Sequence, residues 1–231
     1  MRSIIALTIG LLVSSQVMAT SISKRAVPPG VQISECSMGK VVAVTFDDGP
    51  GQFTMRLLDI LKGTKVTFFL VGQNVDRDPG IVREMYNRGH HVASHTYTHA
   101  NLNELDDREI EREMMDTSNA IYKAIGKRPR YMRCPYGECN DRVLRVLKRL
   151  GYKVIYWNLD TFDWQTLNTQ KTIDTYNVLN NAPSGSSFIA LQHDIHSPTV
   201  DAVERVLQKI QNAGYSVKTV PQCLNDGDLY A

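Results

Sequence analysis

From Lys40 onward the chain alternates short β-rich apolar runs with segments whose apolar residues recur at helical spacing. Lys40–Phe46 predicts a strand, and Thr54–Lys62 a helix with Leu57, Leu58 and Leu61 on one face. Lys65–Val71 predicts the next strand, followed by a helix around Pro79–Arg88 and a short strand at His91–Ser94. The longest helix is predicted over Asp106–Ile125: Ile110, Met114, Ile121 and Ile125 share a stripe, and Asp106 with Glu109 fits a capping box. Further strands are predicted at Tyr131–Arg133, Lys153–Asn158, Ser187–Gln192 and Tyr215–Thr219, with helices between them at Asp141–Leu150, Thr169–Asn181 and Thr199–Asn212. Seven or eight such units without an internal repeat predict an α/β fold, a parallel barrel with helices outside. An open doubly wound sheet is the alternative, weakened because no glycine-rich dinucleotide turn follows the first strand.

The polar residues punctuate this pattern at particular places. Asp47-Asp48, His95 with His99, Arg133 through Tyr136, Asp160, and His193-Asp194 each fall at the C-terminal end of a predicted strand. In a parallel barrel those ends form one rim, where catalytic groups gather. Residues far apart in sequence are therefore expected to face one pocket.

The N-terminus changes the reading of charge and compartment. Arg2, an apolar run from Ile4 to Val13 and the small-x-small triplet Val17-Met18-Ala19 predict a signal peptide over residues 1–19. The run is too short to span a bilayer, and no later run suggests a membrane anchor. Lys24-Arg25 is a dibasic pair, so residues 20–25 form a possible propeptide and 26–231 a single catalytic domain. The first 25 residues hold three of the 26 basic residues and none of the 24 acidic ones. What remains is slightly acidic and has no basic stripe, which argues against nucleic acid as a partner. Four cysteines in a secreted chain allow three pairings. The simplest joins the ends, Cys36 with Cys223, and the middle, Cys134 with Cys139; a buried thiol at Cys134 is the alternative. A Cys36–Cys223 bridge closes a long loop, worth roughly 4–5 kcal/mol in the chain-entropy account.

The rim residues suggest metal-assisted hydrolysis. His95 and His99 are four apart, a spacing that puts both on one side of a helical turn. With one carboxylate they make a three-ligand site for zinc or a similar divalent ion. Adjacent residues on a strand point to opposite faces, so Asp47 and Asp48 converge only where the strand ends and bends. One of the two suffices as ligand, and the other is left as base for a water that the ion acidifies toward a pKa of ~7. His193 is the natural general acid for a departing amine; a core histidine bonded to Asp194 is the competing reading.

Five ordered stretches then share a likeness: Thr45-Phe46-Asp47-Asp48-Gly49-Pro50, His95-Thr96-Tyr97-Thr98-His99, Arg133-Cys134-Pro135-Tyr136, Asp160-Thr161-Phe162-Asp163-Trp164 and Leu191-Gln192-His193. They resemble the motifs of the polysaccharide deacetylases, the NodB-homology or carbohydrate esterase family four group, and above all secreted fungal chitin deacetylases. The resemblance implies a distorted (β/α) barrel. It implies Asp47 as base, held by Arg133, and Asp48, His95 and His99 as metal ligands. Zinc is the expected ion, with cobalt or manganese as alternatives. It further implies that the Tyr136 backbone N–H helps hold the oxyanion and that Asp160 tunes the pKa of His193. Trp164 would wall the sugar groove, and Leu191 would line the pocket for the acetyl methyl. Read without the family, Asp163 looks like a helix cap and Trp164 like core. Cys134 departs from the family, which usually carries proline or another small residue there. The implied activity is removal of N-acetyl groups from N-acetylglucosamine in chitin or chitooligosaccharides by a secreted or wall-associated monomer. Acetylxylan and peptidoglycan are the alternative substrates. A sugar-binding module without catalysis would require a missing catalytic group, and none is missing.

Overall fold

The run Val41–Asp47 (VVAVTFD) is buried at every residue, as expected of a parallel strand covered on both faces. The structure is a computed structural model that describes residues 27–231. The expected signal peptide, the segment 20–25 and a start at Ala26 lie outside the described residues. In chain order the first elements are β1 (Gln32–Ile33), β2 (Val41–Asp47), α1 (Thr54–Ile60), β3 (Thr67–Leu70), α2 (Gly72–Arg77), α3 (Pro79–Asn87) and β4 (His91–Ser94). There follow α4 (Asp107–Ile125), β5 (Tyr131–Met132), α5 (Asp141–Arg149), β6 (Lys153–Ile155) and β7 (Leu159–Asp160). The chain ends with α6 (Asp163–Thr166), α7 (Thr169–Thr175), β8 (Phe188–His193), α8 (Ser197–Asn212), β9 (Ser216–Lys218) and α9 (Val220–Cys223).

All the strand pairings are parallel, in the order β1-β6-β5-β4-β3-β2-β8-β7. One edge of β2 pairs with β8 from Val42 to Asp47. Its other edge is shared, with β9 along Val41–Ala43 and β3 along Thr45–Asp47. The order ends at β1 and β7, which do not close on each other. The result is the expected barrel, distorted and open along one seam.

Side-chain parity explains why the rim is polar. Val42, Val44 and Phe46 point outward into a core shared with α1 and α8 through Leu57, Leu58, Val203 and Val206. Val41 and Ala43 point inward, where they join Phe69, Ala93, Tyr131, Ile155 and Ile189. The period of two then places Thr45 and Asp47 on the inner face, and by the same count His95, Arg133, Leu191 and His193. Hydrophobic filling gives way to chemistry at the last inward position of several strands.

Around the barrel, α4 begins with the capping box, Asp106 and Glu109 exchanging 2.8 Å bonds, and ends at Gly126 in the left-handed conformation (φ 68). The helix expected over Thr169–Asn181 instead tightens into a 3₁₀ turn from Tyr176, whose hydroxyl sits in the core and donates to Gln192 Oε1 at 2.9 Å. β6 stops at Ile155; Tyr156 and Trp157 then stack on each other, their ring centroids 4.0 Å apart. At the end of the barrel opposite the rim, Thr67, His91, Tyr131 and Lys153 begin their strands. The C-terminal segment covers them: Val220 N donates to Thr67 Oγ1 (2.9 Å), and Asp226 accepts from Tyr131 (2.5 Å) and pairs with Lys153. His90 and His91 are both buried. Disulfides join Cys36 to Cys223 and Cys134 to Cys139, with Cα separations of 5.0 and 6.1 Å. No helix among the described residues is long and apolar enough to cross a membrane.

Candidate active site

Asp47 ends β2 on the inner face and is almost fully buried. Its Oδ1 accepts from Arg133 Nη1 at 2.8 Å. Arg133, one step past β5, has no exposed side-chain surface. It also donates to Thr45 Oγ1 (2.7 Å) and to the carbonyls of Ile155 and Tyr156, with its guanidinium 4.2 Å from the Phe69 ring centroid. This set of partners satisfies a buried cation and aims it at one carboxylate oxygen. Burial raises the pKa of Asp47 above the usual carboxylate value; the charges of Arg133 and His193 work against that rise without cancelling it.

Asp48 would face outward if β2 continued. Its φ of 73 turns the chain instead, and Oδ1 comes within 3.3 Å of His99 Nε2 and 3.5 Å of His95 Nε2. The two histidines do not share a helical turn as their spacing suggested. His95 follows β4 directly, and a coil with Thr96 (φ 66) and His99 (φ 60) in the left-handed region brings the second ring back, 5.0 Å from the first.

These three residues fit a divalent ion. Their ligand atoms lie within 4.8 Å of one another, and Asp48 Oδ1 is buried with no hydrogen-bond partner among the described residues. His95 Nδ1 sits 2.8 Å from the carbonyl of Arg133 and is therefore the protonated nitrogen, which leaves the Nε2 lone pair facing Asp48. Burial pushes the His95 pKa down to about 3, so its ring is neutral, the form that ligates. Two imidazoles and one carboxylate suit zinc-like ions.

His193, at the end of β8, corrects one expectation. Its partner is neither Asp160 nor Asp194 but Asp163, whose Oδ1 lies 2.9 Å from His193 Nδ1 and whose Oδ2 accepts from the His193 backbone N–H at 2.7 Å. Thr199 Oγ1 also donates to Asp163 Oδ2 (2.7 Å). β7 ends at Asp160, whose carboxylate turns back to accept from Phe162 N (2.8 Å). Phe162 (φ 51) redirects the chain, and Asp163, opening α6, is carried under β8. Burial alone would depress the His193 pKa. The hydrogen bond and charge of Asp163, with the charges of Asp47 and Asp48, override it and push the value up to about 9. Asp194 is buried elsewhere, accepting from Thr54 Oγ1 at 2.5 Å.

A cavity of about 320 Å³ joins these groups. Trp164 and Tyr136, both more than half exposed, stand on its wall, while Leu191 is buried at its base. Tyr136 adopts a left-handed conformation (φ 59), and its ring meets His99 edge-on at 4.8 Å. The Cys134–Cys139 bridge closes the loop that carries it, and Cys134 lines the cavity.

The profile of the polysaccharide deacetylases matches residues 34–155. A chitin deacetylase of Colletotrichum lindemuthianum is 37% identical over 220 residues, covering 90% of this chain and 89% of its own. The chain belongs to the polysaccharide deacetylase family. The family match together with the likeness to chitin deacetylases in sequence and structure indicates a hydrolase acting on amide carbon–nitrogen bonds. The solved structure of the Colletotrichum enzyme superposes with a TM-score of 0.83 at 36% identity, covering 89% of this chain and 97% of that one. The peptidoglycan-N-acetylglucosamine deacetylase PgdA of Listeria monocytogenes is 35% identical over 210 residues, covering 88% of this chain but 44% of its own. The superposition reaches past the profile match, which stops before Asp160, Asp163 and His193.

Sequence reasoning passed over Asp163, Thr199 and Thr45. The signal for Asp163 was present: two carboxylates three apart compete for one histidine, and only one of them can follow the chain's turn. The strand-end pattern put Asp160 on the rim, where β7 does end, and its role toward His193 came from the family resemblance.

Proposed function

We propose that this chain is a secreted, metal-dependent deacetylase that hydrolyses N-acetyl groups from N-acetylglucosamine residues of chitin or chitooligosaccharides, releasing acetate and leaving glucosamine. The observation that carries this reading is the Asp48–His95–His99 cluster flanked by an Arg133-held Asp47 and an Asp163-held His193. The 37% identity to a fungal chitin deacetylase supports the substrate class. An N-terminus patterned like a signal peptide and two disulfides support export to an oxidising compartment.

Asp48, His95 and His99 would hold the ion, zinc first, with cobalt or manganese as alternatives. When bound, it supplies Lewis acidity that lowers the pKa of water and polarises the acyl oxygen. Asp47, with Oδ1 occupied by Arg133, keeps Oδ2 free to take a proton from water as that water adds to the amide carbon. The Tyr136 backbone N–H is assigned to the oxyanion that forms. His193, protonated at neutral pH, gives its Nε2 proton to the departing nitrogen as the carbon–nitrogen bond breaks. Two protons move, one to Asp47 and one from His193, and the products are acetic acid and an amine. Leu191 offers an apolar surface for the methyl group, and Trp164 a face for a sugar ring.

The test is mass spectrometry of acetylated oligomers incubated with the enzyme, with and without chelator. Chitin oligomers should lose acetyl groups, chelator should stop the loss, and added zinc should restore it. Asp47→Asn should slow release by about 10²-fold or more, and His95→Ala should abolish it, both with an intact thermal transition. Full activity in Asp47→Asn would sink the mechanism. Release from peptidoglycan or acetylxylan but not from chitin oligomers would replace the substrate.

A further inference from the structure

Two separate loops carry the three metal-ligating candidates, one after β2 with Asp48 and one after β4 with His95 and His99. Both contain non-glycine residues in the left-handed region, Asp48 (φ 73), Thr96 (φ 66) and His99 (φ 60). Such conformations cost of order 1–3 kcal/mol each and persist only where neighbours over-determine them. The neighbour in common is the four-residue stretch Val71-Gly72-Gln73-Asn74, at the end of β3 and the start of α2. Toward the first loop, Val71 N donates to Gly49 O at 3.1 Å and Asn74 Nδ2 to Asp48 O at 2.7 Å. Toward the second, Gly72 N donates to Thr96 O at 2.9 Å and Gln73 N to Tyr97 O at 3.0 Å. Asn74 Nδ2 and Gly72 N thus hold the carbonyls of Asp48 and Thr96, the first left-handed residue of each loop, while Val71 N and Gln73 N hold those of the residues that follow, Gly49 and Tyr97.

The fit leaves no slack. A Cβ on Gly72 would lie 2.4 Å from Tyr97 Cδ2, 3.0 Å from Tyr97 Cα and 3.1 Å from Thr117 Cα. The helix and the histidine loop are therefore in backbone contact, and only glycine permits it. Of the four donors Asn74 alone uses its side chain, so it can be removed without altering the backbone.

We propose that Val71–Asn74 is the positioning element of the metal site: it sets the separation of Asp48 from the histidine pair, with Asn74 as the side chain that fixes Asp48. None of these residues ligates the ion or touches substrate in this account. The inference rests on the metal reading of Asp48, His95 and His99, and its test keeps the two apart.

The experiment measures the dissociation constant for zinc by competition with a chromophoric chelator, together with the thermal transition of each metal-free protein. Asn74→Ala should weaken zinc binding by about 10-fold or more, the range for loss of a partner that orients a ligand, while the metal-free protein keeps a cooperative transition. Asn74→Asp keeps the shape but cannot donate, and should weaken binding at least as far. Gln73→Ala should change nothing, because Gln73 contributes through its backbone. Wild-type affinity in either folded Asn74 variant overturns the proposal, and so does an equal loss in Gln73→Ala. If both Asn74 variants lose the cooperative transition without metal, Asn74 serves the whole fold and the proposal also fails. A wild-type protein that binds no zinc, cobalt or manganese would overturn the metal reading itself, and this inference with it.

Discussion

At the scale of single residues, the consequential contact is between His193 and Asp163. A general acid must hold its proton at the working pH, and an ordinary histidine is mostly deprotonated above pH 7. Asp163 changes that by occupying Nδ1 and supplying a buried negative charge, and His193 rises to about 9. The protonated form then persists through neutral pH and is lost only as pH climbs toward that value. Activity should therefore have an alkaline limb set by His193. Asp163→Asn removes the charge, lowers the His193 pKa, and should move that limb to lower pH while reducing kcat about 10²-fold. Asp160→Asn should leave the limb where it is, because Asp160 spends its carboxylate on Phe162 N. A pH–rate profile of the three proteins decides between the two aspartates. If Asp160→Asn shifts the limb and Asp163→Asn does not, the assignment is wrong.

At the scale of elements, what was legible in the sequence followed from periodicity, and what was not followed from its absence. Long patterned segments such as α4, α5 and α8 announce themselves through apolar spacing and caps, and the buried runs of β2, β3 and β8 through β-branched and aromatic content. The short pieces β1, α2, β7, α6 and α9 span two to six residues, too few to show a period. Two of them matter for the site: α6 delivers Asp163, and α2 holds both ligand loops. The histidine pair shows the same limit. The spacing of four was readable, but the coil that brings the rings together depends on left-handed residues without a sequence signature. The Tyr136 loop is the third such case. Gly137, with φ 71, has the rings of Tyr156 and Trp157 against it, and a Cβ there would lie 2.7 and 2.8 Å from them. Gly137→Ala should therefore strain the backbone and push the loop off those rings. A stability loss of about 1–3 kcal/mol is expected, with a fall in kcat larger than the change in KM if the Tyr136 N–H serves the oxyanion. Denaturant titration and steady-state kinetics on chitin oligomers measure both.

At the scale of the whole molecule, the barrel has two polar ends with different work. The rim collects the chemistry. The opposite end is closed by the C-terminal segment, tied down covalently through Cys223 and electrostatically through Asp226. Asp226 lies against Lys153 and Tyr131, both at the first residue of their strands, and Lys153 also donates to the Asp228 carbonyl at 2.7 Å. Burial by itself would raise the pKa of Asp226. The bonds from Lys153 and Tyr131 outweigh it and hold the carboxyl below its usual value. Because the folded-state pKa is depressed, the pair contributes stability above the unfolded pKa of ~4 and loses it as pH falls through the folded value. Asp226→Ala would remove the buried carboxylate and leave the Lys153 ammonium only the half-exposed Asp228 at 3.3 Å, a change expected at or below the lower end of the about 3–5 kcal/mol for breaking a buried pair. The variant should melt earlier at neutral pH, and its stability should fall less steeply on acidification than that of the parent. Its kcat at low temperature should match the parent, since the partners of Asp226, Tyr131 and Lys153, lie at the barrel end opposite the rim. Replacing Lys153 by Met and Asp226 by Leu together should recover much of the loss, because removing both charges also removes their desolvation cost. An Asp226→Ala protein with normal stability but impaired turnover would instead mean that the two ends of the barrel are coupled, and that the C-terminal segment bears on the rim.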